Sequence, residues 1–208
     1  MPTPTPRLTP LSVMLLALLR EDDMHPYEMI RLMRIRRDDR IIPLTNGTIY
    51  HTVERLERAG LVTEVGVDRD GNRPERTTYA LTDAGSAAVE AWVRHELPRI
   101  DRPLEFRVAL SEAHELDRAT VAQLLTERRD GLEADAARLQ NEVDTSRRGG
   151  TPEQYLIEVD RHLALVAADI AWLDAFLVRL QNPDLAWGAD PSASRSDRYL
   201  SQRKAARL

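Results

Sequence analysis

Residues 44–61 read LTNGTIYHTVERLERAGL, and the fold of the chain turns on them. Thr45 is a helix N-cap residue in type and place, and the run at helical spacing after it stops at Gly60, a residue suited to a helix C-terminus. At roughly 100° per residue, Ile49, Val53 and Leu56 fall on one stripe that should be buried. The opposite face carries Gly47, His51, Glu54 and Arg58, flanked by Thr48, Tyr50 and Arg55. A helix that buries three aliphatics and presents small, polar and basic groups near its N-terminus suits insertion into a DNA major groove. Taken alone, the stretch reads equally well as the surface helix of any helical domain.

The next twenty residues tip the balance. Leu61, Val62 and Val65 begin a strand-like segment, VDRDGNRPERT forms a polar turn punctuated by Gly and Pro, and Thr77 to Leu81 return as a second short strand. Helix, strand, basic tip and strand make a recognition helix beside a β-hairpin wing. Arg69, Arg73 and Arg76 surround Asp70-Gly71 at the tip, and arginine is suited to bidentate phosphate contacts. A solvated surface hairpin is the plainer alternative.

Composition sets limits. Apolar residues make up 42% of the 208, ample for a core, and the lack of cysteine excludes disulfides and thiolate chemistry. The net charge of −5 argues against a protein that coats nucleic acid indiscriminately. The acids concentrate in residues 101–190, away from the expected DNA face, whereas residues 191–208 hold Arg195, Arg198, Arg203, Lys204 and Arg207 against Asp197 alone. The apolar run Val13 to Leu19 is far short of the about 20 residues of a membrane span. No membrane partner and a cytoplasmic location are expected.

Along the chain, residues 1–10 are rich in Pro and Thr and read as a flexible arm. Thr9-Pro10 opens a first helix with Leu11, Met14, Leu15, Leu18 and Leu19 inward. His25-Pro26-Tyr27 begins a second, running to about Arg37 with Met29, Ile30 and Met33 inward. After the wing, Thr82-Asp83 cap a fourth helix carrying Ala84, Ala88, Ala91 and Trp92 and ending near Pro98. Residues 11–98 are thus expected to form a winged helix-turn-helix.

The residues of this half are similar to those of PadR transcriptional regulators. HPYEM at 25–29, NGTIYHTVERLERAGLV at 46–62 and TTYALTDAG at 77–85 carry the resemblance, in the family's order and spacing. Two positions depart: Pro26 stands where the family usually has Gly, and His51 where it usually has Pro. His51 lies on the expected DNA face, so base preference does not carry over.

Past Arg102-Pro103 the pattern is wholly helical. Residues 103–116 form one helix, with Phe106, Val108, Ala109 and Leu110 available to the core. Asp117 caps a long helix in which Leu125, Leu132 and Leu139 recur every seven residues. Arg147–Gly150 break it, and Thr151-Pro152 restart a last helix. There Leu156, Val159, Leu163, Val166, Ile170, Leu173, Leu177 and Leu180 alternate steps of three and four, a heptad seam expected to join two subunits. Leu165, Trp172 and Phe176 make a second stripe beside it, and a single wide stripe in a monomeric bundle is the alternative. PLEFRVAL at 103–110 and DIAWLDAFLVRL at 169–180 resemble the longer C-terminal helical domain of one PadR subgroup, which implies a homodimer.

The expected fold is therefore mainly α: an N-terminal winged helix-turn-helix with a two-stranded β-wing, then an antiparallel α-helical dimerisation domain over 103–183. Residues 184–208 are expected to be a flexible basic tail.

No enzyme is expected. The five histidines lack metal-ligand spacing, no phosphate loop or nucleophile elbow occurs, and no cofactor or metal is called for. The expected function is sequence-specific DNA binding by a dimeric repressor on a palindromic double-stranded operator, through recognition helix 45–59 and wing 66–76. Asn46, Thr48, Tyr50 and His51 are candidates for groove contact, with Arg55 at their side. Gly47 permits close backbone approach, and Thr45 at the helix N-terminus favours phosphate. Arg69, Arg73 and Arg76 would hold the backbone, joined by His25 and Tyr27. The resemblance also implies a small aromatic or amphipathic effector. Trp92, Phe106 and Trp172 are aromatic enough to line its pocket, but such residues in amphipathic helices are usually core, so no effector site is assigned. The rival from another class is a helical dimer working through protein contacts, with the winged domain as scaffold.

Overall fold

A computed structural model describes residues 8–68, 76–188 and 196–207. Helix α1 (Pro10–Glu21) starts where Thr9 caps it, its hydroxyl accepting from the Ser12 N–H with Pro10 in the first turn. Leu8 already packs against the core, so the N-terminal arm ends sooner than residue 10. The inward residues of α1 are buried as expected, joined by Val13 and Leu16, which makes it the central helix of this half. Helix α2 (Pro26–Arg36) is capped by His25, whose ring Nδ1 accepts from the Tyr27 N–H at 3.0 Å. It stops at Arg37, which adopts the left-handed conformation, φ 64°.

Helix α3 (Asn46–Arg58) follows the pattern closely. Thr45 caps it through the Thr48 N–H, and Ile49, Val53 and Leu56 are each at most 2% exposed. Burial of three such side chains favours this docking by about 1.5–3 kcal/mol each, as an upper bound. At the other end Gly60 (φ 70°) donates to Glu57 O and Leu61 N–H donates back to Leu56 O. These are the two bonds of a Schellman motif, with Leu56 and Leu61 both buried as its apolar pair.

Strands β1 (Val62–Asp68) and β2 (Arg76–Leu81) pair antiparallel, with a bulge between Glu64 and Gly66 that leaves Val65 outside the register. Met24, fully buried between α1 and α2, exchanges both backbone hydrogen bonds with Tyr79 and so ties the wing to the helix-turn-helix. Helix α4 (Asp83–Glu96) is capped by Thr82, whose hydroxyl accepts from Gly85 N–H and donates to Gly60 O. Gly85 itself presses on the backbone: a Cβ there would run into Leu61 O and the Leu81 side chain. The core face of α4 is Gly85, Ala88, Val89, Trp92 and Val93, whereas Ala84 and Ala91 face solvent, a rotation the alanines concealed.

Helix α5 (Pro103–Ser111) and a 3-10 turn at Ala113–Glu115 lead to α6 (Arg118–Arg148), whose 31 residues span about 46 Å. A 3-10 turn at Glu153–Tyr155 delays the last long helix, α7 (Ile157–Leu180), which runs antiparallel to α6. Arg128–Asp169, Arg129–Asp174 and Arg147–Asp160 ion pairs bridge the two along their length. Arg128, 4% exposed, also donates to Arg99 O and lies 3.6 Å over the Phe106 ring, joining this hairpin to α5 and the loop before it.

Two expectations change here. The heptad seam of α7 is occupied inside the single chain: Leu156, Val166, Leu173 and Leu180 are buried, and Val159, Leu163, Ile170 and Leu177 are half-buried. Heptad spacing records that a helix packs against another helix and is silent about whose helix it is. The expected mobile tail is in its last part a helix, α8 (Asp197–Arg207), seated on α2 with Tyr199, Arg203 and Ala206 buried.

Candidate nucleic-acid interface

The first two turns of α3 expose Asn46, Gly47, Thr48, Tyr50 and His51 above the buried stripe. A shallow groove of about 570 Å³ runs along this face, lined by Thr45, Gly47, Thr48, His51, Thr52, Arg55 and Arg58. Thr45 spends its hydroxyl locally, 2.6 Å from the Thr48 hydroxyl and accepting from the Thr48 N–H. Nothing lies within 4 Å of where a Gly47 Cβ would stand, so no packing inside the chain requires glycine there. His51 extends into solvent, its side chain 83% exposed, with Glu54 3.6 Å from its Nδ1.

Helix α2 meets this face at its N-terminus. The His25 ring sits edge-on to Tyr50, centroids 6.1 Å apart. Tyr27 is 38% exposed and carries the Arg31 guanidinium 5.6 Å above its ring. The structure thus brings together His25, Tyr27 and the residues Thr45 to His51. Arg55 lines the same groove while its Nη2 donates to the Ser12 hydroxyl at 2.7 Å and reaches Thr9, tying α3 to the start of α1. That bond could not be foreseen, because Ser12 lies 43 positions earlier. Of the wing arginines, Arg69 and Arg73 fall outside the described residues. Arg76 opens β2 opposite Asp68.

A second concavity lies behind the helix-turn-helix. A cavity of about 750 Å³ opens between α1, α2, the turn after α5 and α8. Met14, Leu18 and Ile41 give it an apolar side, and Arg20, Arg36, Asp38, Glu112, His114 and Glu115 a charged one. Arg20 is paired with Glu115, and Arg36 holds Glu21 through two bonds. Burial pushes the Asp38 carboxyl up and the Glu112 carboxyl up to about 7, the latter against the opposing pull of His114 and the Ser111 hydroxyl. Glu112, His114 and Glu115 each bring one donor atom within 4.8 Å of the others. Trp92 and Phe106 are core residues, and Trp172 stacks on Phe176 at the surface of α7, so the three aromatics do not share a pocket. The cavity was hidden in the sequence because its walls come from four separate segments.

No helix among the described residues is long and apolar enough to cross a membrane.

Comparison with known proteins reaches the region that holds this face. Residues 15–91 match the family model of the PadR-like transcriptional regulators. No curated protein matches the chain. Among solved structures, Bacillus subtilis PadR in complex with operator DNA aligns over 85% of this chain and 100% of its own at 19% identity, with a TM-score of 0.41. The same protein in complex with p-coumaric acid aligns over 84% and 100% at 18% identity, TM-score 0.36. The PadR-like regulator BC1756 from Bacillus cereus aligns over 83% and 98% at 18% identity, TM-score 0.36. The stretch that matches the PadR-like family of transcriptional regulators, residues 15–91, contains α2, α3, β1 and β2.

Proposed function

We propose that the protein is a repressor that binds a palindromic operator as a homodimer. The observation that carries this is the outer face of α3, where Asn46, Gly47, Thr48, Tyr50 and His51 stand exposed at the N-terminal end of a helix whose other face is fully buried. A recognition helix reads base edges with its N-terminal residues while the preceding helix crosses the backbone. Asn46, Thr48 and His51 are assigned to base edges. Tyr27 and the wing residues Arg69, Arg73 and Arg76 are assigned to phosphate. Arg55, exposed in the same groove and steadied by Ser12, is assigned to phosphate, whereas the His25 Nδ1, which caps α2, leaves the contact set.

The second copy is assigned to the outer face of α7. With the seam turned inward, that helix still presents Ile157, Ala164, Ala168, Ala171, Ala175 and Val178 to solvent, again at heptad spacing, with Leu165 and Trp172 beside them. Two winged domains joined this way would meet half-sites on one face of the duplex, hence a palindrome. A small amphipathic effector is assigned to the cavity behind α2. It would release DNA only by favouring the cavity geometry of the unbound protein.

Fluorescence anisotropy tests the reading, with duplex from upstream of the protein's own coding sequence and a scrambled duplex, across a salt series. Tighter binding to the native duplex, with log affinity falling linearly in log salt, is the expected result. No binding to either duplex at low salt overturns it and favours action through protein contacts.

A further inference from the structure

The corner that leads into α2 is acidic. Glu21 ends α1, Asp22 and Asp23 form the turn after it, and Glu28 lies in the first turn of α2. Arg36 neutralises Glu21. Asp22, Asp23 and Glu28 have no such partner on α1 or α2, and they stand beside Tyr27 and His25, at the helix end that faces the backbone in a helix-turn-helix. Unopposed, three carboxylates there would repel phosphate.

Helix α8 answers that charge. Its Arg203, 4% exposed, donates Nε to Glu28 at 2.5 Å and Nη2 to Asp23 O at 3.1 Å, and lies 3.1 Å from Asp22. Tyr199 supports it through a 2.7 Å bond from Nη1. Arg207 donates to the same Glu28 oxygen at 3.0 Å while its side chain stays 62% exposed. Further back, Gln202 accepts from Arg36. The contacts orient α8: its C-terminal turn lies at the N-terminal turn of α2. Lys204 and Arg207, three positions apart, share one side of that turn, and both are exposed. Apart from Tyr199 and Ala206 the helix buries no apolar side chain, so charge, more than apolar packing, fixes where it sits.

Resting on the DNA-binding reading above, we propose that α8 is a second backbone clamp of the DNA interface: Arg203 and Arg207 cancel the acidic corner, and Lys204 with Arg207 contacts phosphates flanking the half-site read by α3. These contacts are sequence-independent, so they strengthen binding to any duplex equally.

The test compares the full-length protein with Lys204→Ala/Arg207→Ala and with Arg138→Ala/Arg148→Ala, a control that removes the same charge from exposed positions on α6. Salt series with the native and scrambled duplexes are read alongside thermal melting. Because buried Arg203 still holds Glu28 and the Arg207 pair is largely exposed, the α8 variant is expected to keep its helix content and melt within a few degrees of the wild type, and to lower the magnitude of the log–log salt slope by about 1–2 on both duplexes, at about one unit per lost phosphate contact. Lys204→Arg should keep the slope, and the control pair should leave it unchanged. A wild-type slope in the α8 variant, or an equal drop in the control, overturns the clamp while DNA binding itself stands. Failure of the wild type to bind either duplex removes the DNA-binding reading, and the clamp with it.

Discussion

Replacing Gly47 by alanine separates stability from function. Glycine in a helix costs about 0.5–1 kcal/mol relative to alanine, and the cost falls toward the low end in a first turn. Gly47 occupies the second residue of α3 with no heavy atom within 4 Å of its missing Cβ, so an alanine methyl meets nothing inside the chain. Gly47→Ala should therefore stabilise the fold by about 0.5 kcal/mol, a rise of about 1–2 °C in Tm for a chain of this size. On DNA the sign reverses. If the α3 backbone approaches the duplex at this turn, the added methyl overlaps it, and a misfit of that size costs about 1–3 kcal/mol, or about 5- to 150-fold in Kd. Calorimetric melting and anisotropy on the native duplex read the two effects separately. An alanine variant that melts higher and binds like the wild type would refute close backbone approach at Gly47, and with it this docking of α3. One that melts lower would refute the open-space argument.

Gly85→Ala is the opposite case: its methyl would drive into the Leu61 carbonyl, and a loss of more than about 2 kcal/mol is expected, visible as a drop of several degrees in Tm; a loss under about 0.5 kcal/mol would mean that α4 slides freely over β1. Glu112→Gln should change the pH dependence of stability. The folded-state pKa is raised from 4.5 to about 7, so the native state holds a proton that the unfolded chain releases, and the group's contribution falls as pH rises from about 4.5 to 7. The Tm advantage of the glutamine variant should therefore grow across that window, with His114, Glu115, Glu21 and the Ser111 hydroxyl left in place around it. A constant difference would show that the carboxyl is not held up. On the proposed homodimer, Ala171→Glu, on the exposed side of α7, should lower the sedimenting mass from dimer to monomer while leaving helix content unchanged; an unaltered dimer mass would move the subunit contact elsewhere, and a monomeric wild type would remove the homodimer.

What the sequence disclosed and what it hid divide along one physical line. Patterns set by neighbours a few positions apart were legible: the caps Thr9, Thr45, Thr82 and Asp117, the Gly60 stop, and the stripe Ile49–Val53–Leu56 all stand where spacing put them. Such signals are complete within one or two turns. Partners chosen across the chain were not legible. Arg55 lies on the exposed side of α3, and only the arrival of Ser12 from α1 shows where its guanidinium is anchored. The α7 seam was visible as a seam, yet its partner, α6 of the same chain, depends on a hairpin that no heptad specifies. Helix α8 is the clearest instance. Tyr199, Arg203 and Ala206 are spaced four and three apart, a helical stripe, but the stripe has an arginine at its centre and so reads as polar tail. An arginine can take a core position only where carboxylates already wait to receive it. Those are Glu28 and Asp22, some 175 and 181 residues earlier. The same fact explains why the acidic turn Glu21–Asp23 does not stand out in the sequence: neither half of the arrangement is conspicuous until the other is beside it.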